Sequence, residues 1–196
     1  MKKILVVGCG GIGSFLIKEL HNLFFTGQIN HSDYLINIMD FDIVELKNIK
    51  YQAFEKQDIG RNKAQVLSEK YHFSFANEKL TDELQLKGYD IIISCVDNSQ
   101  ARKLIYDFCE KNNIYYIDGR SEGRAIACFT YKPNNLKKML ATLNLESTGN
   151  TSCQNPFELN KGIIQQGNKI VAVILSQLLL NKIREVENNE EYIFYF

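Results

Sequence analysis

The run KILVV at residues 3–7 is followed at once by the glycine turn GCGGIG and then by apolar residues at Ile12, Phe15, Leu16 and Leu20. No other feature constrains the chain as much. A short apolar run bounded by glycine reads as a buried strand, and the spacing of three and four after it reads as one face of a helix. Gly8, Gly10 and Gly13 stand as G-x-G-x-x-G between that strand and that helix. In this setting the first glycine permits the tight turn and the second lets a phosphate approach the backbone. The third lets helix and strand pack closely, and the helix N-terminus supplies oriented N–H groups. The pattern predicts nucleotide binding, against the plainer alternative of glycines that serve only a tight turn.

The alternation continues. YLINIMD (34–40), YDIIISC (89–95) and NIYYID (113–118) read as strands, with helices expected over 62–71 and 100–111. Apolar strands separated by helices imply a parallel sheet covered on both faces. After residue 118, RAIACFTYK alternates like an antiparallel strand, and residues 133–161 hold both prolines and little periodicity. A helix is expected over 168–186, then a terminal strand in EYIFYF. The predicted fold is α/β: one Rossmann-like domain over residues 1–196 with a mostly parallel sheet, helices on both faces, and antiparallel strands extending its C-terminal part. A mobile, crossover-like segment is expected at 133–161.

Composition excludes several classes. A chain of 196 residues, 45% apolar, buries a sizeable core without disulfide or metal staples. Its 23 basic and 23 acidic residues cancel, and no block of like charge offers a nucleic-acid arm or a polybasic membrane patch. The N-terminal apolar run is too short for a signal peptide, and the stretch at 170–180 is short and carries Ser176 and Gln177, so no membrane segment is predicted. Five cysteines, odd in number and never in C-x-x-C, point to reduced thiols in a cytoplasm and argue against structural zinc. Cys9, Cys95, Cys109 and Cys128 read as small buried apolar residues.

Asp40 ends the second strand, where a carboxylate accepts hydrogen bonds from ribose hydroxyls; Asp42 follows, as a site residue or as a solvated turn residue or cap. The 27 positions from Gly13 to Asp40 exceed the roughly 20 of a dinucleotide fingerprint, so a plain NAD enzyme fits imperfectly.

From residue 40 the chain reads DFDIVELKNIKYQAF, then DIGRNKA, SCVDNSQARKLIYDFC and IYYIDGRSEG. These segments resemble the ThiF/MoeB/HesA family, relatives of ubiquitin-activating enzymes, whose pattern is D-x-D-x-V-E-x-S-N-L-x-R-Q followed by G-x-x-K-A. The resemblance covers residues 3–130 and implies an ATP-dependent adenylyltransferase. Its substrate would be the C-terminal carboxylate of a small ubiquitin-like or sulfur-carrier protein ending in glycine. It further implies a homodimer, with no nucleic-acid or membrane partner.

Carried over by motif, Gly8, Gly10, Gly11, Gly13, Asp40 and Asp42 form the adenosine and ribose site. Asn48 lies near the phosphates, Lys63 contacts them, and Asp97 binds Mg²⁺. The nucleophile is an ionised carboxylate and needs no general base, consistent with His21, His31 and His72 lying outside these motifs. On their own residues, Lys63 also reads as a solvated helix lysine, Asp97 as a helix N-cap, Asn48 as a turn residue and Arg102 as an exposed helix arginine.

The chain departs from the pattern at Tyr51, where the family has an arginine, and at Lys47, where it has a serine. Tyrosine supplies neither the charge nor the fork of a guanidinium; Lys47 or Lys50 are candidate point charges. Many relatives also carry an N-terminal helical extension that donates an arginine to the partner subunit's site, and this sequence, starting at its first strand, is expected to lack it. Cys153, in TGNTSCQNPF, matches the place where sulfur-carrier-activating relatives put a cysteine that takes up a thioester or persulfide. Two other readings stay open: a non-catalytic nucleotide-binding or scaffold subunit of a heteromeric activating complex, and an NAD(P)-dependent oxidoreductase.

Overall fold

The protein is described by a computed structural model over residues 1–122, 124–131, 161 and 163–196. Among these residues the chain runs β1 (Lys2–Val7), α1 (Gly11–Phe25), β2 (Tyr34–Met39), α2 (Lys63–Tyr71), β3 (Ser74–Ala76), β4 (Ile91–Ser94), α3 (Ser99–Asn112), β5 (Tyr115–Glu122), β6 (Ala125–Tyr131), α4 (Gly167–Ile183) and β7 (Glu191–Tyr195). The expected order is present. The expected segment at 133–161, Cys153 included, lies almost wholly outside the described residues.

The strands form one sheet in the order β3-β2-β1-β4-β5-β6-β7. The first five run parallel, and β6 and β7 are antiparallel additions. Because β2 lies on one side of β1 and β4 on the other, the strand order reverses at β1, and open α/β sheets bind ligands beyond the carboxyl ends of their strands at such a point.

Successive side chains of a strand point to opposite faces, and both faces here are sealed. Ile4, Val6, Ile36, Ile38, Ile93 and Ile117 pack with Ile12, Leu16 and Leu20 of α1, Leu67 of α2 and Val171 and Leu175 of α4. Leu5, Val7, Ile92 and Tyr116 pack instead with Ile105, Tyr106, Phe108 and Cys109 of α3. That two-sided burial explains why β1 and β4 read as unbroken apolar runs.

Strand β5 reaches four residues past the predicted end at Asp118. Its first four residues pair with all of β4, ending at Ser94↔Asp118, and the polar stretch Gly119–Glu122 is held as strand by antiparallel pairing with β6. Polar composition hid that extension. EYIFYF completes the sheet as its edge strand β7, with Ile193, Phe194 and Tyr195 exposed. No helix among the described residues is long and apolar enough to cross a membrane.

Candidate functional site

The glycine turn lies at the reversal point, directly after β1. Gly8 has φ +94°, a conformation that suits glycine, and a Cβ there would fall 2.7 Å from the Cys95 carbonyl oxygen. At Gly13 a Cβ would meet the Gly8 carbonyl oxygen at 1.8 Å, so the turn and the first turn of α1 pack backbone against backbone. Gly10 is the N-cap of α1 and supplies no side-chain hydrogen bond, while the Asn168 side chain of α4 packs against Gly11, where a Cβ would fall 2.5 Å from its Nδ2. Uncapped first-turn N–H groups with the positive end of the helix dipole form a cradle for an anion.

Asp40 stands beside this turn at the end of β2. Its Oδ2 accepts from the Cys9 N–H at 2.6 Å and its Oδ1 from the Asp42 N–H at 2.8 Å, so the carboxylate ties the glycine turn to the following loop. Burial pushes its carboxyl up, and the two N–H donors and nearby Lys63 offset this only in part.

Asn62, the N-cap of α2, accepts from Gln65 N–H and donates to the carbonyls of Asp40 and Asp42 and to Asn77 Oδ1. Helix α2 is thereby fixed against the end of β2, and Lys63 begins it. The Lys63 ammonium lies 3.0 Å from Asp42 Oδ2, with its side chain 8% exposed and that of Asp42 48% exposed. Lys63 is therefore not a solvated helix lysine. Asn48 is also buried and braces the intervening loop, its Oδ1 accepting from Glu45 N–H at 2.8 Å, the geometry of a turn residue. Tyr51 follows it, half-buried, at the end of the 3₁₀ turn Asn48–Lys50.

Asp97 lies past β4, with β1 between that strand and β2, in the link to α3. It does not cap that helix: Asn98 does, its side chain accepting from Ala101 N–H at 2.7 Å. The Asp97 carboxylate is exposed. Arg102 also differs from the exposed helix arginine of the sequence reading. It is buried, donating from Nε to Asp118 Oδ1 at 2.9 Å and from Nη2 to the Val96 carbonyl. Arg120 Nε holds the other Asp118 oxygen at 2.6 Å, and its guanidinium lies 4.7 Å over the Phe129 ring.

Sequence reasoning gave Asp118 and Arg120 no role. The available signal was an aspartate directly after the apolar run IYYI at 114–117, where burial requires a counter-charge. Cys9, Cys95, Cys109 and Cys128 are buried; burial pushes Cys109 and Cys128 up to about 12, leaving them poor nucleophiles.

At the carboxyl ends of one sheet the fold thus gathers an open anion cradle, a buried carboxylate tied to it, a lysine–aspartate pair and an exposed aspartate. The family model described as ThiF family matches residues 1–196. Among curated proteins, SUMO-activating enzyme subunit 2 of Dictyostelium discoideum is 31% identical over 134 residues, 62% of this chain and 19% of that protein. The NEDD8-activating enzyme E1 catalytic subunit of Saccharomyces cerevisiae is 32% identical over 143 residues, 62% of this chain and 44% of that protein. Adenylyltransferase and sulfurtransferase MOCS3 of Danio rerio is 30% identical over 119 residues, 54% of this chain and 24% of that protein. The chain therefore spans less than half the length of each of these relatives. A solved structure of E. coli MccB with ATP superposes with TM-score 0.74 at 18% identity, covering 100% of this chain and 60% of that one, a likeness of fold.

Proposed function

The chain belongs to the ThiF family, and from that premise we propose that it binds ATP with Mg²⁺ and adenylates the C-terminal carboxylate of a small ubiquitin-like or sulfur-carrier protein. The observation that carries this reading is the placement of an uncapped helix N-terminus, Asp40, Lys63 and Asp97 beyond the carboxyl ends of the neighbouring strands β2, β1 and β4, where the strand order reverses. The residues fit the nucleotide: Gly10 sets no side chain over the α1 N-terminus, where a Cβ would have Gln52 Nε2 as its nearest neighbour at 4.0 Å, and α1 has no side-chain cap in competition with a phosphate.

In this reading the α1 N-terminus and glycine turn hold the phosphates. Asp40, kept in place by the Cys9 and Asp42 N–H groups, accepts from the ribose hydroxyls with its remaining lone pairs. Lys63 exchanges its contact with the half-exposed Asp42 for a phosphate oxygen and offsets the charge of departing pyrophosphate. Among the described residues no three His, Cys, Asp or Glu side chains cluster as a self-contained metal site. That suits magnesium, which binds through one or two carboxylates plus substrate phosphates, with Asp97 as the carboxylate. Bound there, the ion neutralises phosphate charge.

An oxygen of the incoming carboxylate attacks the α-phosphorus, the bond to the β-phosphate breaks, and pyrophosphate leaves; the nucleophile is already ionised, so positioning does the work. The proposal extends to one nucleotide-binding domain over residues 1–196, acting as a homodimer in the cytoplasm, a setting that suits five cysteines, odd in number and never in C-x-x-C. Cys153 as acceptor of a covalent adduct is part of it, resting on the sequence resemblance.

Tyr51 favours a second reading, a nucleotide-binding subunit whose partner supplies the missing arginine. Calorimetric titration with ATP and with NAD⁺, each with and without Mg²⁺, is the first test. Magnesium-dependent ATP binding that Asp97→Ala abolishes is expected; preference for NAD⁺ would overturn the reading. Pyrophosphate exchange that needs only this chain and a carrier ending in glycine separates enzyme from subunit.

A further inference from the structure

Asp97 sits in a four-residue link, Cys95 to Asn98, between β4 and α3, and both flanks of Asp97 are clamped. On the helix side Asn98 caps α3, and its carbonyl accepts from the Arg102 N–H at 3.3 Å. On the strand side the Val96 carbonyl accepts from Arg102 Nη2. The same guanidinium donates from Nε to Asp118, which is fully buried on β5 in register with Ser94, the last residue of β4. Arg120 holds the second oxygen of Asp118. Between these clamps the Asp97 carboxylate is exposed and makes no hydrogen bond or ion pair among the described residues.

We propose that Arg102, anchored by Asp118, is a positioning residue that sets the direction in which Asp97 presents its carboxylate to a divalent cation. The inference rests on Asp97 being the magnesium ligand of the reading above. A hydrogen bond to the Val96 carbonyl fixes the orientation of the peptide plane that leads into Asp97, and with it the Cα–Cβ direction of that residue. Magnesium demands near-ideal octahedral geometry, so a carboxylate free to swing binds it less well than one held in place. Guanidinium suits the task because its planar fork serves a carbonyl and a carboxylate at once, whereas an ammonium is a compact point charge. Asp118 supplies the counter-charge that makes burying Arg102 tolerable, and Arg120 fixes the rotation of that carboxylate by engaging its other oxygen. A strut that merely joins α3 to β5 would predict loss of stability without selective loss of metal response.

The test titrates Mg²⁺ into the purified full chain at fixed ATP, for wild type, Arg102→Lys and Asp97→Asn. Nucleotide binding in EDTA and the thermal midpoint report on the fold, and Arg102→Gln stands in if the lysine variant does not fold. Arg102→Lys is expected to raise the Mg²⁺ concentration at half-maximal binding by about 10-fold or more, far beyond any change in EDTA. Amide exchange at Asp97 and Asn98 should quicken in the same variant with no ligand present, while β5 keeps its protection. An unchanged Mg²⁺ midpoint, an equal loss of binding in EDTA, or unchanged exchange at Asp97 would overturn the positioning role. If Asp97→Asn itself leaves the magnesium response intact, the metal reading fails and the inference falls with it. That outcome is told apart by the Asp97 variant alone.

Discussion

Two carboxylate–cation clusters stand in the same sheet, one past the carboxyl end of β2 and one on β5 level with the end of β4, and they differ in access to water. Beside β2, Asp42 pairs with Lys63 while its own side chain stays 48% exposed. Beside β5, Asp118 is fully buried between Arg102 and Arg120. The open pair can exchange one partner for a ligand, because water already competes for the aspartate. The sealed one cannot, since removing a partner strands a charge where nothing solvates it. Similar chemistry therefore does different work: the β2 cluster is suited to binding, and the β5 cluster to holding the neighbouring loop in place.

The largest expected effect tests the sealed side. Asp118→Ala leaves two guanidinium groups without their shared carboxylate and should cost about 3–5 kcal/mol of stability in urea unfolding; a loss below about 1 kcal/mol would put Asp118 in the same class as a surface pair.

The same cluster has a pH signature. Burial alone would push the Asp118 carboxyl up, but Arg102 and Arg120 outweigh it and hold the group below the ordinary aspartate range. The unfolded chain then binds a proton there more readily than the folded one. Its stabilisation is complete above about pH 4 and is lost as pH falls through the lowered folded value. Asp40 has the opposite sign: raised by burial, its contribution is present at low pH and is lost as pH rises through its folded value. Wild type should lose stability on acidification below about pH 4, and Asp118→Asn should flatten that acid limb while lying lower at neutral pH. An acid limb of unchanged steepness would show that other carboxylates carry it.

On the open side, Asn62→Ala removes the α2 cap and the donor to the Asp40 and Asp42 carbonyls. A loss of about 1–2 kcal/mol is expected in chemical unfolding, with nucleotide binding weakened as α2 loosens from β2. Asp42→Asn should change stability least, by about 1 kcal/mol or less, yet alter ATP affinity measured by calorimetry. If stability fell while affinity stayed constant, the contrast between an exchangeable and a fixed cluster would collapse.

Much of this arrangement was legible in the residues. The glycine turn announces itself because the backbone contact of Gly13 with Gly8 spans five positions and excludes any side chain. The strands of the core were legible because two-sided burial demands unbroken apolar runs. Short β3 carried too little pattern to be read, and the outer half of β5 was hidden because its polar residues are held by β6 rather than by burial in the parallel core. The cap that stands as the plainer alternative for Asp97 belongs to the neighbouring Asn98, since both residue types cap helices and only the backbone conformation chooses between them.

By itself, then, the sequence determined the order of strands and helices, the glycine turn at the end of β1 and the acidic residue at the end of β2, because local sterics and hydrophobic periodicity are written in neighbouring residues. Only the tertiary structure decided that Lys63 meets Asp42, 21 positions away, and that Arg102 turns inward to Asp118, 16 positions away. The partner of a charge is whatever the packed strands and helices bring within about 3 Å, and desolvation makes that choice a matter of several kcal/mol. Such a distance exists only once the sheet has assembled.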